Sequence, residues 1–219
     1  RNIVVNLKKV ITYLLADSFA EILLVAGSLL LGFPFFILPA QILFISLIAD
    51  GWPSFALAFE EKEKDLMKEG PVRRSAPILD SSMYFIIFVI GIVTNVLLFS
   101  LAFLLYLKSG QDLDYTRTVI FLALGTASLF YVFACRNLRQ PFWRMNIFSN
   151  PSLNLSVVVG FILLVLAVYA PPFQVLLHTQ PLGLEAWLLV LGMALFKLFA
   201  IEFSKQLFYR RRKVMSARL

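Results

Sequence analysis

The sequence predicts an all-α protein, a polytopic membrane bundle of six transmembrane helices, and three observations carry that prediction. Of the 219 residues, 60% are hydrophobic and the mean hydropathy is +0.83, too apolar for a soluble domain of this size. Six apolar stretches reach the roughly 20 residues that a span requires. The 20 Lys and Arg residues are placed with a pattern: all but Lys108 and Arg117 fall in or beside 1–9, 62–74, 136–144 and 197–218. With six spans, those four places share one side, and the positive-inside rule puts both termini in the cytoplasm of a multi-pass cell-membrane protein. The same placement makes the lipid bilayer, and no nucleic acid, the partner of a chain with net charge +7 and pI near 9.7. One cysteine, Cys135, excludes a disulfide framework. No cleavable signal peptide is evident, and a chain that opens on Arg1 is expected to be a piece of a longer protein.

The first span is expected over 10–31, after a polar, basic approach (Asn2, Asn6, Lys8, Lys9). Inside it Asp17 and Glu21 are four apart and Ser18 and Glu21 three apart, a spacing that lets them share a helical face. Gly32 to Pro39 reads as a short turn, so the second span, 40–59, returns antiparallel beside the first. Residues 60–80 are the most polar stretch and read as a cytoplasmic loop. The third span, 83–107, carries Thr94 and Asn95; the fourth, 118–135, carries Gly125, Thr126, Ala127 and Ser128, small residues suited to close helix packing. The fifth, 153–170, is uncharged and closed by Pro171-Pro172; the loop after it holds His178, the single histidine, to which no role is assigned. The sixth, 184–207, contains Lys197, expected to snorkel or pair inside the bundle, and Glu202 with Lys205, expected as a structural ion pair. Tyr209 to Lys213 reads as a basic stop at an anionic surface. The resulting division is 1–59 as an ion-site helix pair, 60–81 as a cytoplasmic loop, and 82–219 as a four-helix supporting region with a basic tail.

The chemistry concentrates in Ser46-Leu-Ile-Ala-Asp50-Gly51-Trp-Pro53. A carboxylate near mid-membrane costs roughly 2.5–3.5 kcal/mol on insertion scales, so Asp50 is not expected to face lipid. Pro53 has no N–H to donate, and with Gly51 it is expected to break the helix and free carbonyls beside Asp50. Freed carbonyls next to a carboxylate are a means of holding a cation. Asp17, Glu21 and Asp50, with Ser18 and Ser46, are therefore the candidate ion-binding residues, and Glu21 and Asp50 the candidate metal ligands.

Asn6-Leu-Lys-Lys-Val-Ile-Thr-Tyr-Leu-Leu15, Glu21, Gly32-Phe-Pro34, Pro39-Ala-Gln-Ile-Leu43, Asp50-Gly51-Trp-Pro53, Ala56-Leu-Ala-Phe59 and, near the end, Pro181-Leu, Trp187 and Glu202-Phe-Ser-Lys205 resemble the membrane domain of P-type cation-transporting ATPases, in the calcium-pump-like branch. The resemblance covers essentially the whole chain, as that family's last six membrane helices. It implies a pump driven by an aspartyl-phosphate intermediate, with Mg-ATP handled in domains outside these 219 residues. No Asp-Lys-Thr-Gly motif occurs here, so this chain alone is expected not to hydrolyse ATP, and its partners are the remaining domains of the same pump.

Carried over by position, the resemblance places ion-site residues at Ser18 and Glu21 in the first span and at Ser46, Ala49 and Asp50 in the second. The calcium-pump pattern would have amides at 18 and 46, a hydroxyl at 49 and an acid near Phe133; this chain has none of these. Calcium takes 6–8 oxygens, so with the family's missing helix the set makes one calcium site but hardly two; the poorer oxygen count suits H+ or a monovalent ion such as Na+ or K+ better, since a proton needs only a suitable carboxylate. Two alternatives remain open on the residues: a stand-alone secondary transporter or channel, and a structural membrane subunit whose acids pair with Lys197.

Overall fold

The computed structural model describes residues 2–60, 79, 81–110, 112–138 and 141–216, with backbone alone at 81, 82, 89, 90 and 207–216. All regular structure among them is helical. Six helices are long and apolar enough to cross a membrane: α1 Asn2–Leu31, α2 Pro39–Ala58, α3 Phe85–Lys108, α4 Leu113–Cys135, α5 Pro151–Tyr169 and, after the short α6 Pro171–Leu177, the apolar part Leu184–Gln206 of α7 Leu184–Ser216. The chain is thus a multi-pass membrane protein. Glu60 and Leu79 apart, the polar loop expected over 60–80 lies outside the described residues.

Three boundaries differ from expectation. α1 begins at Asn2, well before 10, because its polar first turns are tied down: Asn6 Nδ2 donates to the Ala58 carbonyl at 3.0 Å and to the Glu60 carbonyl at 2.8 Å. α4 begins at Leu113 rather than 118, since Asp112 caps it by accepting the Tyr115 N–H at 3.0 Å. That bond holds the exposed Asp112 carboxyl below the usual carboxylate range. The loop expected after Pro171-Pro172 contains a two-turn helix, α6, which a proline at its first position tolerates and which stops at His178 in the left-handed region, φ 50°. The turn after α1 is as expected: Gly32 sits at φ +68° and Phe33 N–H reaches back to the Ser28 carbonyl at 2.9 Å, a glycine-terminated helix end.

α4 is the central post. It is buried on all sides, packs along α7 over most of its length and also touches α1, α2, α3 and α5. Its small residues are where neighbours come closest: a Cβ on Gly125 would sit 2.8 Å from Leu164 Cδ2, and one on Gly160 of α5 would sit 2.9 Å from Leu129 Cδ2. Two apolar cores stack along this post. One gathers Phe36, Ile37, Leu98, Phe121, Leu164 and Val190; the other gathers Tyr13, Leu57, Tyr131, Val132, Leu198 and Ile201.

At the end that carries the termini, Glu60 and Arg136 form a buried pair. Arg136 Nε donates to Glu60 Oε1 at 3.0 Å, Asn150 Nδ2 donates to Glu60 Oε2 at 2.7 Å, and the other Arg136 nitrogens reach the Ile147 carbonyl and Ser149 Oγ. The network clamps the ends of α1, α2, α4 and α5 together. Glu202 and Lys205 pair at 2.7 Å, as expected, and Lys205 also donates to the Ala134 carbonyl, so α7 is fixed to the last turn of α4.

Two measurements check this architecture. Gly160→Leu should lower stability in detergent by about 1–3 kcal/mol through overpacking, whereas Gly192→Ala, with open space at its Cβ, should not lower it. Arg136→Met should cost about 3–5 kcal/mol by stranding Glu60, and Glu60→Gln with Arg136→Met should recover part of that loss.

Candidate functional site

Between the two apolar cores lies a polar layer. On α1 it is Asp17, with Tyr13 and Ala16 in one core and Ala20 and Leu24 in the other. On α2 it is Asp50, on α4 Ser128, and on α7 Lys197, and all four are at most 7% exposed. They converge on one hydroxyl. Ser128 Oγ is 2.7 Å from Asp17 Oδ2, 2.5 Å from Asp50 Oδ1 and 2.8 Å from the Tyr13 hydroxyl. Lys197 Nζ donates to the other Asp17 oxygen, Oδ1, and stands 4.9 Å from the centre of the Tyr131 ring, a cation–π geometry.

The α2 backbone explains how Asp50 gets there. Expected to be broken, α2 instead stays helical and widens into a π-type stretch over Ser46–Gly51, with α-helix on both sides. Such widened turns are frequent at functional sites, though a second one, over Phe85–Ile90 at the start of α3, is wholly apolar. Pro53 provides no N–H to the turn before it, and the Ala49 carbonyl is met instead by the Tyr13 hydroxyl at 2.7 Å. That freed carbonyl is therefore spoken for within the chain and does not stand open beside Asp50. The Gly51 carbonyl likewise accepts Ser54 Oγ at 2.7 Å.

The structure distributes the sequence-predicted residues unevenly. Asp17 and Asp50 meet at Ser128. Glu21, one turn along α1 from Asp17, is half-buried, with Oε1 lacking a hydrogen-bond partner; it interacts with the Ser46 hydroxyl and lies within electrostatic range of Asp17 and Asp50. Ser46 itself is exposed on the outer side of α2. Ser18 is also exposed, about 100° around α1 from its neighbour Asp17, and does not join the buried group. Among the described residues no three His, Cys, Asp or Glu side chains come close enough to hold a metal ion by themselves.

Sequence reasoning missed Tyr13 and Ser128. Tyr13 sits four residues before Asp17, the i,i+4 relation that would have put it on the same face. Ser128 was hidden inside a small-residue run that packing already explained. Beside Lys197, on the α3 side, is a cavity of about 20 Å³, lined by Thr94, Asn95, Ala127, Met193 and Phe196, among others. That is room for about one water.

Six spans around a mid-bundle cluster of carboxylates, a lysine and a widened helix define a multi-pass membrane protein with a buried charged centre. The family described as "Cation transporting ATPase, C-terminus" matches residues 34–207, and the chain belongs to it. It is 34% identical over 206 residues to a "Calcium-transporting ATPase" of Bacillus subtilis, covering 92% of this chain and 22% of that protein. It is 32% identical over 212 residues to "Calcium-transporting ATPase 1" of Schizosaccharomyces pombe, covering 95% and 23%. To a "Probable cation-transporting ATPase F" of Mycobacterium tuberculosis it is 28% identical over 197 residues, covering 89% and 21%. The chain thus spans under a quarter of the length of these curated relatives.

Tyr13→Phe removes the donor that the Ala49 carbonyl depends on. It should cost about 1–3 kcal/mol in detergent denaturation, while Tyr84→Phe, at a half-exposed ring, should be neutral.

Proposed function

We propose that this chain is the ion-translocating membrane part of an ATP-driven cation pump, with Glu21 and Asp50 as the carboxylates that take the transported cation and Ser18 and Ser46 at its margin. The observation that carries this reading is the pair of acids at the widened turn of α2, Asp50 within it and Glu21 on α1 against its Ser46. Asp50 shares the single Ser128 hydroxyl with Asp17, and Glu21 keeps an unpartnered buried oxygen. One hydroxyl proton cannot satisfy two carboxylates together, so the centre is short of positive charge that an incoming cation would supply. The relatives named as calcium transporters favour Ca2+ as cargo. The oxygens present fall short of a full calcium shell, and the remaining ligands are assigned to helices of the same pump outside this chain. ATP hydrolysis with Mg2+, through an aspartyl-phosphate, belongs to those other domains. The basic segments support an orientation in the cell membrane with both termini cytoplasmic. On this reading 1–59 carries the cargo ligands, 60–81 is a cytoplasmic loop, and 82–219 supports them.

Asp50→Asn in the full-length protein tests the proposal. Calcium-dependent phosphoenzyme formation from ATP should be lost, or its calcium requirement raised beyond the roughly 10–100-fold that removal of an outer-shell partner costs. Phosphorylation from inorganic phosphate without calcium should survive. An Asp50→Asn protein with unchanged calcium dependence would remove Asp50 from the ion path.

A further inference from the structure

Between α4 and α5 the backbone is pinned from beneath while its large apolar side chains are left outside. Arg136 Nη1 donates to the Asn146 carbonyl at 3.2 Å and to the Ile147 carbonyl at 2.9 Å, and Arg136 Nη2 donates to Ser149 Oγ at 2.6 Å. Asn154 Nδ2 donates to the same Ile147 carbonyl at 3.2 Å, and Asn146 Oδ1 accepts the Phe148 N–H at 3.0 Å. Nearer α4, the Phe142 N–H meets Glu202 Oε2 of α7 at 3.3 Å. These bonds fix two short 3₁₀ turns, Phe142–Arg144 and Ile147–Ser149. On them Phe148 is 82% exposed, Trp143 50% and Ile147 38%, with Arg144 exposed beside them. Large apolar side chains clustered on the outside of an immobilised backbone mark a contact surface.

The same bonds fix how deep that surface lies. Glu202 is four residues inside the Gln206 end of the apolar part of α7, about 6 Å at 1.5 Å per residue. Asn150 Nδ2 donates to the Ala56 carbonyl at 3.2 Å, two residues inside the Ala58 end of α2, and Phe148 stands three residues before Pro151, where α5 begins. Both turns are therefore level with the ends of the spans, where the hydrocarbon gives way to a polar layer about 5–8 Å thick on each side. Aromatic rings beside a guanidinium are the composition that settles at this level, the rings at the acyl boundary and the charge toward the phosphates. We propose that Trp143, Ile147 and Phe148 form a rigid anchor seated in the phospholipid interface at the end of the bundle that carries the termini, with Arg144 against the lipid phosphates. Arg136 also holds Glu60, and Glu202 also holds Lys205, so the anchor is continuous with the clamp on the helix ends and ties that clamp to the lipid. The inference stands on the six spans and does not need the pump reading.

The test uses the full-length protein reconstituted in phospholipid vesicles and reads the two turns separately. For the second turn, the variant Phe148→benzoylphenylalanine carries a photoreactive ring at an exposed position, and illumination should attach phospholipid to the protein. For the first, the fluorescence of Trp143 is taken as the difference between wild type and Trp143→Phe. That signal should be lost to phospholipids brominated near the carboxyl end of the acyl chains, more than to those brominated near the methyl end and more than to aqueous iodide. Both replacements keep an aromatic ring at an exposed position and leave the hydrogen bonds beneath untouched, so the bundle should fold in each. An adduct joining position 148 to another part of the protein would overturn the proposal and make this face a protein contact. Illumination without any adduct would overturn it as well, and so would a Trp143 signal quenched most strongly by iodide, since either places the turn in water.

Discussion

The contact between Lys197 and Asp17 is the constraint on which the rest of the bundle depends. A charge near the middle of a bilayer costs several kcal/mol unless it is paired and hydrogen-bonded. Here the pair is made between the first and last spans, and neither helix can shift without exposing an unpaired charge. α4 stands between them and supplies the Ser128 hydroxyl and the Tyr131 ring from one face, three residues apart. The small residues of α4 let α5 approach closely on another side. One buried polar layer thus fixes α1, α2, α4 and α7 at a common depth. The apolar cores to either side keep water out, which strengthens every interaction within the layer.

The six spans were legible because apolar length is a coarse and robust signal that survives any detail of packing. The Glu202–Lys205 pair was legible too, since i,i+3 neighbours on a helix meet whatever the tertiary fold. What escaped was everything decided across helices. Asn6 extends α1 by bonding to carbonyls more than fifty residues away, and nothing local in the sequence announces that. Ser128 stands 111 residues from Asp17 and 78 from Asp50, so its role exists only in three dimensions. Gly51 and Pro53 did signal an irregular backbone, but propensity alone cannot distinguish an unwound segment from a widened turn. The presence of Tyr13 opposite the Ala49 carbonyl favours the widened turn, because the acceptor that Pro53 leaves unserved already has a donor.

The widened turn carries both Ser46 and Asp50. An α-helix advances 100° per residue, and a π-type stretch delays that rotation over its length. Ser46, four residues before Asp50, is exposed on the outer side while Asp50 is buried against α4. Four residues make close to one turn in either geometry, so the two positions stay near one face: Asp50 turns in to Ser128 of α4, and Ser46 stands at the rim of that face, where it meets Glu21.

α1 reaches the same result without any distortion, by placing polar residues next to one another. Asp17 faces inward to Lys197 and Ser128; Ser18 faces outward; Glu21, a turn further on, lies half-buried between the two directions. The inner acid has a partner at each oxygen, Lys197 at one and at the other the Ser128 hydroxyl it shares with Asp50, whereas Glu21 Oε1 has none. A buried oxygen without a partner calls for an explanation. On the pump reading proposed above, a cation completes Glu21 Oε1, and Asp17, Lys197 and Ser128 are the fixed wall against which that ion is held.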